Sequence, residues 1–435
     1  MTNLFKSALV LGGLATSIAS FGESGNFYKV LPIEGPVMNI SDNGQYVISC
    51  LGMEINFLYD DATGNSTVLD ANGAPYCIAY DVSDNGKVVG HVNDLPAYYE
   101  NNEWHYLDIP EGYSGGLCSG VSADGSKIYG VVSAGFFFSP VIWTNGVAEF
   151  VEVLEKDIFN KVPEGGFMID QFSMEGELMA GRVIDHNYRW YPVLWKNGVP
   201  QYINPDFFKE ASGKPNKYEM EVHCFSPNSR YLALNIIEES TATASLEYTP
   251  VIYNIEEDVM TVLESELMMF IDNKGRGYTS APQNILIRTG YIHVGDVTYS
   301  LEDWALNNYG VDMIGESGIE YSGTPTAIAK DGVTIVGFAT DGENDRNYMM
   351  RLSEPLPNSI QKQHVSKPVV YSSQSNIIIS SPLDANVSIY DITGVALKQF
   401  EMKAGSESVS FTTGTYIVRI QQGSEIYSYK TIINF

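Results

Sequence analysis

One turn phrase recurs along most of this chain, and its spacing constrains the fold more than any other feature. In its clearest copy, apolar runs flank Ser83, Asp84, Asn85 and Gly86, with Val82 before the turn and Val88, Val89 and Gly90 after it. That chemistry closes an antiparallel hairpin through a glycine in the left-handed conformation. The turn serines Ser41, Ser83, Ser122, Ser173 and Ser226 advance by 42, 39, 51 and 53 residues, and a last clear copy sits at Ala329 to Gly332. The fifth copy has lost its glycine.

A second phrase follows each of these five turns, at 56–59, 96–99, 140–143, 192–195 and 250–253. It ends on Tyr59, Tyr99, Trp143, Trp195 or Tyr253. A polar turn and another strand usually come next, so one unit holds four strands. Four antiparallel strands every 40 to 50 residues predict an all-β, seven-bladed β-propeller, with six blades as the alternative count. The gap of 103 residues between Ser226 and Ala329 leaves room for a degenerate unit with its turn at 270–275. Strands run out after 348–352, whereas 27–31 reads as a lone outer strand. It is expected to complete the last blade and hide its edge. The repeated aromatics are expected to pack between blades.

Four segments follow from this reading: a signal peptide over 1–22, the propeller over 23–356, a linker over 357–368 and a small C-terminal β-sandwich over 369–435. Lys6, the short apolar stretch 8–15 and the small residues Ser17, Ala19 and Ser20 make up the signal. No run approaches the roughly 20 apolar residues of a spanning helix, so no transmembrane segment is expected in the mature chain. With 25 basic against 53 acidic residues, the net charge of −28 opposes nucleic acid and anionic membranes. Cys50, Cys77, Cys118 and Cys224 form no Cys-x-x-Cys pair, which leaves buried thiols or an export-compatible disulfide open.

The propeller phrases resemble the extracellular repeats called HAF over about residues 36–353, sharing the Ser-x-Asp-Gly turn and the following Val-x-Gly. That resemblance implies an exported propeller and transfers no catalytic residue. The tail phrases 387–394, 414–420 and 430–433 resemble the C-terminal sorting domain of type IX secretion cargo from Bacteroidota, a small β-sandwich. It implies partnership with that secretion machinery and a secreted or outer-surface location, with the periplasm as the alternative.

No catalytic constellation emerges. The six histidines show no metal-ligand spacing, no nucleophile elbow or phosphate-binding loop is present, and no cofactor or metal is expected. The 341–345 segment is acidic but reads as a solvated loop. Binding is expected on the variable loops opposite the regular turns, at 91–94, 133–139, 184–191, 237–247 and 341–347. The candidate binding residues are His186, Tyr188, Arg189 and Trp190, with Phe136, Phe137, His91 and Asp94. Rings that stack and forked donors suit sugars or carboxylates. The expected function is an exported, non-enzymatic propeller binding a glycan, peptide or surface partner. The alternatives are a polysaccharide hydrolase or lyase and a structural surface module.

Overall fold

The computed structural model describes residues 25–353 and 368–433, apart from 53, 72, 75, 175, 212–216, 240–245, 264, 266, 283–286, 296, 320, 374–375, 382 and 423–424. The expected signal and residues 357–367 of the expected linker lie outside the described residues. The chain is all-β, a propeller followed by a small two-sheet sandwich. Antiparallel groups of four strands, units 1 to 7, span 37–69, 77–106, 115–150, 166–202, 217–262, 267–300 and 324–351. The last is completed by Phe27–Leu31, which pairs with Asp345–Arg351 from Phe27 opposite Arg351 to Leu31 opposite Asn347. The first strand of each unit packs on that of the next, and unit 7 packs back on unit 1. Asn347 fastens the closure: its Nδ2 donates to the carbonyls of Ile33 and Gly35, and its Oδ1 accepts from the Val37 amide.

The recurrent turn has the expected form. Ser83 donates its amide to the Lys87 carbonyl, Gly86 donates to Ser83, and Gly86 has φ +80°. A side chain there would be strained, and its Cβ would also meet the Tyr46 ring at 3.2 Å. In unit 5 Ser229 takes the same conformation without a glycine, at φ 60°. Neighbouring turns are stitched together as well. Asp84 Oδ1 accepts from the Asn43 amide, Asn85 Nδ2 donates to the Asp124 carbonyl, and Asn228 Nδ2 donates to the Asn273 carbonyl. The Lys330 amide reaches the Asp42 carbonyl, tying unit 7 to unit 1. The degenerate unit between Ser226 and Ala329 is unit 6, with its turn at Asp272 to Gly275.

Tyr59, Tyr99, Trp143, Trp195 and Tyr253 are buried in the hydrophobic clusters. The equivalent place in unit 6 is held by His293, opposite Gly277. It bridges the hydroxyls of Thr279 and Thr298, and burial pushes its pKa down to about 4. Short helices at Pro205–Ala211, Leu301–Tyr309 and Met313–Ser317 fill segments between units. The second is capped by Ser300, whose hydroxyl accepts from the Asp303 amide. The cysteines are free thiols, three of them buried.

Every first strand carries a β-bulge at the same depth. Pairing slips by one residue between Val37 and Asn39, Ala79 and Asp81, Cys118 and Gly120, Ile169 and Gln171, Val222 and Cys224, Met268 and Phe270, and Pro325 and Ala327. The extra residues are Met38, Tyr80, Ser119, Asp170, His223, Met269 and Thr326. A bulge leaves its extra residue unpaired and re-aims it. Here all seven line one central cavity.

The tail pairs Val369–Ser373, Asn376–Ser381 and Gly405–Ser410 in one sheet, and Ala396–Met402, Ala385–Asp391, Gly414–Gln422 and Glu425–Ile433 in another. The three tail phrases fall on adjacent strands of the second sheet. Alternating burial along Gly414–Gln422 turns Val418 and Ile420 toward Ile377 and Ile379 from the first sheet.

Candidate functional site

On the face opposite the turns, units 3 and 4 merge into one eight-stranded sheet. A single parallel pairing of Phe138 with Gly166 joins them, and the Phe138 amide donates to the Gly165 carbonyl. The Gly165 amide in turn reaches the Ile184 carbonyl at 3.2 Å, and the Tyr188 hydroxyl donates to Glu164. The loops carrying Phe136, Phe137 and 185–190 are therefore one continuous rim. Phe136 stands at the tip of its hairpin, 86% exposed, and Tyr188 is 57% exposed.

The 185–189 loop is built by its first residue. The Asp185 amide donates to the Arg189 carbonyl, while Asp185 Oδ1 accepts from the amides of Asn187 and Arg189 at 2.7 and 2.9 Å. This places Tyr188 at φ 58° and turns its ring outward. Asp157, from the segment between units 3 and 4, heads a loop of the same form and accepts from the amides of Phe159 and Lys161. Its Oδ2 lies 2.6 Å from His186 Nδ1, and Asn187 Nδ2 lies 2.9 Å from His186 Nε2. Burial opposes ionisation of Asp157, but the Lys161 amide, the His186 ring and amide and the Phe159 amide outweigh it. They hold this carboxyl below its usual range.

The other expected residues are placed differently. The Trp190 ring lies beneath the Arg182 guanidinium, 4.0 Å from its carbon, so one of its faces is already covered. Arg189 lies against the Tyr191 hydroxyl. His91 stands edge-on to Tyr80, and burial lowers its pKa. Asn93 and Asp94, at φ 52° and 61°, form the two-residue corner of the unit 2 hairpin, and the Asp94 carbonyl accepts from Gly116. The 341–345 loop satisfies itself, with Asp341 accepting from the amides of Glu343 and Asn344.

None of the eight expected binding residues lines the central cavity, which has a volume of about 860 Å³ and reaches the turn end of the ring. Ionisable side chains mark its wall at two places. Asp81 joins three units: its carboxylate accepts from Asn39 Nδ2 and from the amides of Val82 and Val121. Burial pushes Asp81 up to about 7 against those two amides. Between units 4 and 5, Arg182 Nε lies 3.3 Å from Asp170 Oδ2, and His223 Nε2 lies 3.6 Å from Glu221 Oε2. Burial raises Asp170 despite Arg182, whereas the His223 hydrogen bond lowers Glu221. Through Arg182, this wall touches Trp190 of the rim.

No family model matches the chain, and no curated protein matches it. Among solved structures, Kuenenia stuttgartiensis hydrazine synthase is similar at a TM-score of 0.44 and 12% identity, over 74% of this chain and 96% of that one. An oligogalacturonate lyase from Vibrio parahaemolyticus is similar at 0.43 and 10%, over 76% and 91%. The extracellular domain of the one-component system BT4673 from B. thetaiotaomicron is similar at 0.41 and 9%, over 95% and 57%. Among the described residues, no helix is long and apolar enough to cross a membrane.

The sequence reading missed Asp157, the bulged residues and the pairs Asp170–Arg182 and Glu221–His223. Asp157 is distant in sequence from its partners and sits in a segment between repeats, where no repeat comparison reaches. The bulges did leave a trace. Apolar residues stand one and four positions before each turn, as at Val82 and Ala79 or Phe225 and Val222, a spacing of three that a regular strand cannot bury on one face.

Proposed function

We propose that this chain is an exported, non-enzymatic propeller that binds a glycan or a surface partner through the fused rim of units 3 and 4. We further propose that its repeats are HAF-like and that the tail serves type IX export. One observation carries the binding reading: the Phe138–Gly166 pairing fuses two variable loops into a rigid rim that holds Phe136, Phe137 and Tyr188 exposed beside Asn187. Exposed rings next to amide groups suit the mixed apolar and hydroxylated faces of sugars. The test is a glycan array probed with the mature chain. Wild type should retain specific glycans, and Phe136→Ala with Tyr188→Ala should abolish retention without lowering the melting temperature. Unchanged retention by that double variant would remove the rim from the site.

A second reading, polysaccharide cleavage in the cavity, is favoured by the Asp170 and Glu221 carboxyls, whose surroundings move their pKa values in opposite directions. Chain shortening of a polysaccharide that is lost in both Asp170→Asn and Glu221→Gln would select it over binding alone.

A further inference from the structure

Asp157, Asp185 and His186 bring three donor atoms within 4.8 Å of one another. Asp157 and Asp185 are buried, and Asp185 Oδ2 has no hydrogen-bond partner among the described residues. Its neighbour in the cluster is His186 Nδ1 at 3.8 Å. A buried carboxylate oxygen without a partner calls for a cation. In a loop of the same form on the turn face of unit 6, Asp272 Oδ2 receives Arg276 Nε at 2.6 Å. In unit 4 the arginine at that position, Arg189, lies against Tyr191 instead.

We propose that Asp157 Oδ2, Asp185 Oδ2 and His186 Nδ1 hold one divalent transition-metal ion of the zinc class. Two carboxylate oxygens with one imidazole nitrogen suit such an ion, whereas calcium takes six or more oxygens. Bonds of about 2.0 to 2.2 Å to one ion set donors roughly 3 to 4.4 Å apart, so the Asp157–His186 contact opens slightly as the metal enters. The Nδ1 proton passes to Nε2, where Asn187 turns its amide oxygen to receive it, and the Nδ1 lone pair goes to the metal. The ion then clamps the segment between units 3 and 4 to the loop that displays Tyr188. Its remaining coordination positions are open to water or to a hydroxyl or carboxylate of a bound glycan. That last role rests on the rim reading, whereas metal uptake itself does not.

The experiment uses the untagged mature chain, stripped with a chelator and titrated with zinc by calorimetry, with metal content measured after dialysis. One zinc per chain is expected. Asp185→Asn and His186→Gln should each weaken binding by more than about 100-fold, and His105→Gln should leave it unchanged. Asp185→Asn keeps Oδ1 for the loop amides, so its melting temperature in chelator should match wild type and exclude misfolding. Absence of zinc uptake, or uptake indifferent to Asp185→Asn, overturns the proposal. Glycan retention by the stripped chain separates the two ideas: retention without zinc uptake leaves the rim and removes the metal, and uptake without retention does the reverse.

Discussion

Asp272 and Asp185 head the same five-residue loop at opposite ends of the ring. In each, the first amide donates to the fifth carbonyl, Oδ1 accepts from the third and fifth amides, the fourth residue is left-handed and the fifth is arginine. The outer carboxylate oxygen differs. On the turn face Arg276 covers it, and the fourth residue is Gly275. On the loop face it has no hydrogen-bond partner among the described residues, and the fourth residue is Tyr188 at the cost of backbone strain. One loop is closed on itself, and the other holds its outer oxygen 3.8 Å from His186 Nδ1 and turns a ring outward. The same loop geometry therefore serves architecture at one end and, on the proposed rim reading, presentation at the other.

The comparison breaks most readily at Arg276. Removing it leaves Asp272 buried without its counter-charge, and Arg276→Ala should cost about 3 to 5 kcal/mol in denaturant unfolding. A loss below 1 kcal/mol on that scale would show the pair to be dispensable. Next comes Ser229, which is left-handed on the turn face and has a buried hydroxyl with no hydrogen-bond partner among the described residues. Ser229→Gly should raise stability by about 1 kcal/mol, and a drop would mean that the site tolerates serine without strain. Tyr188→Gly should gain less, about 0.5 kcal/mol, while weakening glycan retention. Gain in one measurement with loss in the other is the signature of a strained residue kept for its ring.

The smallest effect concerns acid. Asp157 is held below its usual range, so its contribution is complete at neutral pH and fades as pH falls through the usual carboxylate range toward its folded value. A local change at the rim, read by the NMR signals of the His186 ring 2.6 Å from Asp157, should therefore accompany acidification and be reduced in Asp157→Asn.

The repeat was legible because a left-handed turn demands particular residues, and Ser83 to Gly86 state that demand openly. Closure by Phe27–Leu31 followed from counting strands, and unit 6 from a gap of two periods. Surroundings were harder to read than positions. Trp190 looked like a free stacking ring, yet Arg182 covers it from a neighbouring strand. His186 had no ligand spacing because its partner Asp157 comes from outside the repeat. The helix Leu301–Tyr309 went unread although Ser300 and Asp303 mark its start.

The closing strand has a temporal consequence. Phe27 is made near the beginning of the chain, yet its partner Arg351 follows 324 residues later. Until that residue arrives, Phe27–Leu31 has no strand to pair with, and a pairing this distant in sequence forms late. A chain made from its N-terminus therefore carries its latch from the start and cannot lock it until its whole ring has followed.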